Sequence, residues 1–280
     1  MKKTLTLLLS LIFLLVSGCT QSKIESAIDS TVDGTIDSTI ESEENIIETP
    51  PITEKPPITV PVPPEEDEEE KKKAYIVSNA NGLRIRSGKG SNYSIIGQID
   101  KNDMLSFKGE EGKYYITTYK EKTGYIHKEY CSIIEFDVGD ENVEKTIDFG
   151  TELLGYPYVW GSQRYHWGNG VLNKNFVNGE FDCSAFVQYV YYKTNSVLLD
   201  VTSRAQSTEG QFVQKGDLKR GDLMFFTNAS RKNKTGIEKV GHVGIYFGNN
   251  YILHTASDYA VLEPISDTRW SYYLHSRRVI

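Results

Sequence analysis

Apolar positions fall into four regimes along the chain. Residues 5–16 form an apolar run, interrupted only by Thr6 and Ser10, behind Lys2 and Lys3 and closed by Ser17-Gly18-Cys19. A basic start, an apolar run too short to cross a bilayer and small residues at its end predict a secretory signal peptide over 1–18. From Cys19 to Lys73 no apolar period holds. Seven of the nine prolines lie there, and residues 65–70 are six consecutive acids followed by three lysines. Proline and like charge predict an extended, solvated tether over 19–73.

Between 74 and 134 the pattern turns to β. Short runs at 74–77, 83–86, 95–99, 104–107, 114–117 and 124–127 alternate with turn residues, which predicts a small all-β barrel. From 145 to 280 the expectation is α+β. Residues 146–154 read as a helix ending at Gly155. Apolar positions 186, 187, 190 and 191 predict a second helix beginning near Cys183. Residues 241–247 and 251–256 read as two strands about Gly248-Asn249-Asn250. A three-residue loop there sets position 244 opposite 254 and 242 opposite 256, so that His242 and His254 project from one face; a two-residue loop would separate them.

Composition removes several function classes. The chain has 280 residues, 31 Lys+Arg against 38 Asp+Glu, and a net charge of −7. A pI near 5.4 excludes a basic footprint, so no nucleic-acid partner is expected. Three cysteines cannot staple a miniprotein, and a mean hydropathy of −0.42 excludes a multi-span membrane protein. The acidity is local. Residues 19–73 hold 15 acids and 5 bases, whereas residues 74–280 hold 23 and 24. The working part is close to neutral.

The candidate chemistry is nucleophilic. Asp182 is suited to cap the second helix, which puts Cys183 in its first turn, where the helix dipole favours a thiolate. His242 would take the thiol proton and return it to a leaving amine, and His254 would orient His242 through its other ring nitrogen. The histidine and cysteine spacings lack a zinc pattern, so no metal or cofactor is expected. Cys131 reads as a small buried hydrophobe, although pairing with Cys183 is conceivable in an oxidising compartment. His166 is a lesser rival to His254, since it lacks strand context.

These residues also carry resemblances. Val16-Ser17-Gly18-Cys19 resembles the lipobox of bacterial lipoproteins, which implies lipidation at Cys19 and anchoring on the outer face of a membrane. Gly82-Leu83-Arg84-Ile85-Arg86-Ser87-Gly88 and Thr123-Gly124-Tyr125-Ile126 resemble the bacterial SH3 domain of cell-wall proteins. Pro157-Tyr158-Val159-Trp160-Gly161, Phe181-Asp182-Cys183-Ser184, Ser203-Arg204-Ala205-Gln206, Lys219-Arg220-Gly221-Asp222-Leu223-Met224-Phe225-Phe226 and Gly241-His242-Val243-Gly244-Ile245-Tyr246 resemble the NlpC family of cell-wall cysteine peptidases. That resemblance implies a papain-like catalytic fold over 145–280 and a Cys183–His242–His254 triad. It also implies cleavage of the D-γ-glutamyl–diamino acid bond in peptidoglycan stem peptides. Tyr158 would assist at the oxyanion beside the Cys183 N–H. Asp182, Ser184 and Ser203 join it as oxyanion or substrate-binding candidates, each serine being equally readable as a helix or turn hydroxyl.

Two departures from the family pattern stand out. Residues 162–180 form a longer loop than is common, with Tyr165, His166, Trp167 and Phe176; walling the cleft is favoured slightly over inert packing. Thr202 stands where members demanding a free N-terminal L-Ala often have Asp, which puts that specificity in question. The expected protein is a monomeric, extracytoplasmic, lipid-anchored hydrolase acting on peptidoglycan. A non-catalytic wall-binding lipoprotein, or an amidase or acyl transferase acting on another wall bond, is the alternative.

Overall fold

The computed structural model describes residues 72–256 and 258–280. The signal peptide expected over 1–18, Cys19 and the tether up to residue 71 lie outside the described residues. Among the described residues, no helix is long and apolar enough to cross a membrane.

Eight strands come first: β1 (Lys72–Ser78), β2 (Leu83–Arg86), β3 (Ile95–Ile99), β4 (Met104–Ser106), β5 (Gly109–Glu111), β6 (Tyr114–Tyr119), β7 (Lys122–His127) and β8 (Cys131–Asp137). They form a three-stranded sheet ordered β4-β1-β8 and a five-stranded sheet ordered β3-β2-β7-β6-β5. Ile76, Ile85, Met104, Leu105 and Ile126 are buried within them, and since Met104 and Leu105 are neighbours β4 is covered on both faces. Lys72 and Lys73, expected to end the tether, instead begin β1 and pair with Asp137 and Phe136 of β8. A lysine pair suits this place because Lys73 meets the carboxylate of Asp148 in the following helix.

The rest of the chain is α+β. Helix α1 spans Glu141–Glu152, five residues earlier than its apolar pattern suggests, because Asp140 caps it by accepting the Asn142 and Val143 N–H groups. Then follow α2 (Cys183–Asn195), α3 (Ser203–Gln206), β9 (Gln211–Val213), β10 (Leu223–Phe226), β11 (His242–Gly248), β12 (Tyr251–Thr255), β13 (Ala260–Pro264), α4 (Asp267–Ser271) and β14 (Tyr273–Arg278). The sheet runs β13-β12-β11-β10-β14-β9, antiparallel throughout. Helix α2 is buried from Cys183 to Tyr191, packed on β11 and β12 and flanked by α1. A helix hydrophobic on nearly all sides belongs in an interior, and this one carries the nucleophile candidate there.

Arg220 joins the β-rich part to the α+β part. Its guanidinium donates to both Glu144 carboxylate oxygens (2.6 and 3.1 Å), to the Phe247 carbonyl (2.7 Å) and to the Tyr75 hydroxyl (2.6 Å), and it stacks 4.0 Å from the centre of the Phe247 ring. The rings of Tyr75, Phe136 and Phe247 meet edge to face around it. Close by in sequence, Asp222 accepts two bonds from Arg278 and one from the Lys219 N–H. The Lys219-Arg220-Gly221-Asp222 phrase is therefore a structural lock between elements distant in sequence.

Candidate active site

The site begins with how α2 starts. Asp182 takes an extended conformation, and its Oδ1 accepts from the Ala185 N–H at 2.8 Å and the Ser184 hydroxyl at 2.9 Å. Its other oxygen receives Arg164 Nη2 at 2.8 Å and the Gly161 N–H at 3.2 Å. Arg164 is held in turn by the carbonyls of Val201 (2.6 Å) and Ser162 (2.9 Å). This anchor was not anticipated from sequence; an arginine at the head of a loop insertion offers no periodic signal. Gln206 donates to the carbonyls of Ser184 (3.1 Å) and Asp200 (2.7 Å), so the Ser203-Arg204-Ala205-Gln206 phrase braces the same helix start.

Cys183 is 8% exposed, and the backbone N–H groups of Val243 and Ser184 favour its thiolate form. Burial pushes its thiol up to about 11, with the Asp182 charge adding to it; the two N–H groups and Arg164 pull the other way. The helix start alone does not produce a standing thiolate. Cys131, half-buried, has its thiol pushed up to about 12 by burial alone. Both cysteines are free, so the conceivable pairing of Cys131 with Cys183 is not made.

The hairpin delivers the histidines. Ile245 lies opposite Leu253 and Tyr246 opposite Ile252, so position 244 faces 254. The register is the expected one but its cause differs. The loop is the two residues Asn249-Asn250, both left-handed (φ 47° and 65°), as a tight hairpin turn requires. An irregularity between Tyr246 and Gly248 inserts the extra residue that returns both histidines to one face. Gly244 is needed there, because a Cβ would sit 2.9 Å from His254 Cβ.

His242 Nε2 lies 2.8 Å from His254 Nδ1. His254 is wholly buried, and its Nε2 lies 3.0 Å from Glu263 Oε1, which also receives Arg269 Nη2 at 3.0 Å. Burial first, then the charges of His254 and Arg269, hold His242 well below the ordinary histidine value. Burial also lowers His254, against the pull of Glu263. Burial thus favours the neutral form of the thiol and of both imidazoles. His166 is elsewhere: its ring packs on Tyr192, and its Nδ1 accepts from the Gly168 N–H at 3.0 Å.

A cleft of about 470 Å³ reaches His242, lined also by Tyr158, Thr227, Asn228, Thr255 and Arg269. Burial, reinforced by Cys183, raises the Tyr158 phenol, which stays a hydrogen-bond donor. The hydroxyls of Thr227 and Thr255 are buried without a partner among the described residues. Cys183, Ser184 and Ser203 are not on this wall. The Ser184 hydroxyl is engaged by Asp182 and Arg164, and Ser203 opens α3. No described residue of 162–180 lines the cleft either. Tyr165 and Phe176 of that loop pack on Tyr189 of α2, and Phe176 on Phe181, so the loop supports the helix from behind.

Comparisons with known proteins place this geometry. Residues 155–279 match the NlpC/P60 family and residues 81–132 the bacterial SH3 domain. The chain is 32% identical over 142 residues to the peptidoglycan DL-endopeptidase CwlO of Bacillus licheniformis, covering 49% of this chain but only 28% of that protein. It is 32% identical to the probable endopeptidase NlpC homolog of Haemophilus influenzae, covering 57% of this chain and 73% of the relative. It is 30% identical to murein DD-endopeptidase MepS/murein LD-carboxypeptidase of Escherichia coli K12, covering 50% and 68%. Residues 155–279 contain Cys183, His242 and His254 with the helix and hairpin that carry them, and the chain belongs to the NlpC/P60 family, with a bacterial SH3 domain ahead of the family domain.

Proposed function

We propose that the protein is a lipid-anchored peptidoglycan hydrolase that cleaves the D-γ-glutamyl–diamino acid bond of stem peptides with a Cys183–His242–His254 thiol mechanism. The observation that carries the reading is the 2.8 Å contact of His242 with a buried His254, made from β11, the strand on which the Cys183 helix packs. His242 uses Nε2 for that contact, which leaves Nδ1 to accept the thiol proton. Because burial favours the neutral thiol and the neutral imidazole, proton transfer accompanies attack on the substrate carbonyl. The sulfur–carbon bond forms as the carbonyl oxygen takes the negative charge. The Cys183 N–H has no acceptor within α2, being in its first turn, and with the Tyr158 hydroxyl it stabilises that oxygen. His242 then gives its proton to the leaving amine as the carbon–nitrogen bond breaks. Water, deprotonated by His242, hydrolyses the thioester and restores the thiol.

The choice of bond follows the family resemblance and fits a relative named for DL-endopeptidase activity; the relative named for DD-endopeptidase and LD-carboxypeptidase activity points to the competing bonds. The anchor rests on Cys19 and its preceding residues, and the SH3 domain, at +3 over 74–134, would hold the anionic wall. A catalytic site and a purely wall-binding relative of it differ in thiol chemistry. Iodoacetamide at pH 7, followed by peptide mapping, should label Cys183 faster than Cys131, because burial alone acts on the Cys131 thiol whereas backbone N–H groups and Arg164 pull the Cys183 thiol back down. Muropeptide hydrolysis should fall in step with Cys183 labelling. Equal labelling rates, or full activity after Cys183 is blocked, would sink the proposal.

A further inference from the structure

We infer that Glu263 is a positioning residue for this reaction, its carboxylate setting the direction of every proton along the His254–His242 pair so that His242 faces the nucleophile with a lone pair. The inference rests on the reading of Cys183 and His242 just given.

Two neutral imidazoles in series have two self-consistent proton arrangements. In one, His242 donates from Nε2 to His254 Nδ1, and His242 Nδ1 is a free base. In the other, His254 donates from Nδ1 to His242 Nε2, and His242 Nδ1 carries a hydrogen and cannot take one. The 2.8 Å contact by itself does not choose between them. The third contact does. An ionised carboxylate only accepts, so Glu263 Oε1, 3.0 Å away, requires the hydrogen of His254 on Nε2. Nδ1 of His254 is then the acceptor, Nε2 of His242 the donor, and Nδ1 of His242 the base. The same carboxylate places a negative charge one residue behind the imidazolium that forms during attack, a role a neutral histidine alone fills poorly.

Glu263 is built to stay ionised there. Burial raises its carboxyl, but the hydrogen bond and charge of His254 and the charge and hydrogen bond of Arg269 outweigh that and hold it below the ordinary value. It is the one charged residue of β13, placed opposite Ile252 and diagonal to His254, whose direct partner is Val261. The other groups facing it are accounted for. Asp103, at the head of β4, has its own carboxyl pushed up to about 6 by burial, with Glu263 contributing. Tyr259, just before β13, is raised by burial and then by its carboxylate neighbours, Glu263 among them. Arg269, from α4, also lowers His242 and His254, so its charge supports Glu263 and opposes the imidazolium. Arg269 lines the cleft as well, so its own substitution would change the substrate surface directly.

The test uses the full chain in three forms: wild type, Glu263→Leu and Glu263→Gln. Losing a charge-assisted acceptor should lower kcat for muropeptide hydrolysis by about 10- to 100-fold in Glu263→Leu, with KM little changed. Glutamine keeps an oxygen for both His254 and Arg269 but no charge, so its loss should be smaller, about tenfold or less. In both variants the acid limb of the kcat/KM profile should move to lower pH, since a nearby anion is what favours the protonated imidazole. Imidazole nitrogen NMR of protein labelled with nitrogen-15 histidine should show hydrogen on Nε2 of His242 in the wild type and a mixture in Glu263→Leu. Unchanged kcat, acid limb and His242 hydrogen placement in Glu263→Leu would overturn the inference. If that variant does not fold, an unmoved acid limb in Glu263→Gln overturns it instead. Activity surviving in Cys183→Ala would mark the failure of the underlying thiol mechanism, a result distinct from either.

Discussion

Cys183→Ala is expected to lower hydrolysis of stem peptides by about 10⁴-fold or more, leaving a folded protein that still binds its substrate. The size follows from the nature of the step. Without the sulfur no thioester forms, and what remains is positioning and the oxyanion donors. Folding should survive because alanine removes only the sulfur and leaves the helix backbone as it is. The start of α2 is secured independently by Asp182, Arg164 and Gln206. Circular dichroism melts and muropeptide digestion by the same preparation check both halves. Cys183→Ser should be equally inactive, since a buried hydroxyl is a poorer acid than the thiol it replaces.

The largest effect on stability is expected at Arg220→Ala. The side chain is nearly buried, and removing it strands the Glu144 carboxylate, the Tyr75 hydroxyl and the Phe247 carbonyl together. Breaking a buried pair from one side costs about 3–5 kcal/mol. Lys73, 3.8 Å from Glu144, offers partial relief and puts the expected loss at the lower end. Urea unfolding should therefore show a destabilisation of about 3 kcal/mol. The pair Glu144→Gln with Arg220→Met should cost clearly less, because no uncompensated charge is left. A single-variant loss under about 1 kcal/mol would show that Arg220 is not the lock described.

How much of this was legible in sequence depends on the element. The nucleophile helix was, because Asp182 and the apolar spacing after it dictate a capped, buried helix. The facing of His242 and His254 was also legible, through an argument whose premise changed: the loop has two residues, and a bulge supplies the third. Local pattern cannot distinguish these routes, since only the total residue count sets the facing. Glu263 was missed because a lone acid before Pro264 reads as a strand end; its partner is nine residues back and reached only across the β12–β13 register. Arg164 was missed for the same reason, its partners Asp182, Ser184 and Val201 being 18, 20 and 37 residues away. The loop over 162–180 reads as a cleft wall because aromatic residues suggest a surface for substrate. In the structure those rings meet Tyr189 and Phe181, and the loop supports the helix. The lysines at 72 and 73 read as tether because charge hides a strand whose pairing partner lies more than sixty residues on.

The bond that is cut decides the central claim. Purified sacculi digested with the wild-type chain, and with Cys183→Ala alongside, should be resolved by mass spectrometry. The account predicts glycan-linked stems ending at D-glutamate, released fragments that begin with the diamino acid, and neither in the variant. Whole stems freed from the glycan, cuts confined to cross-links, or identical products from both proteins would contradict it.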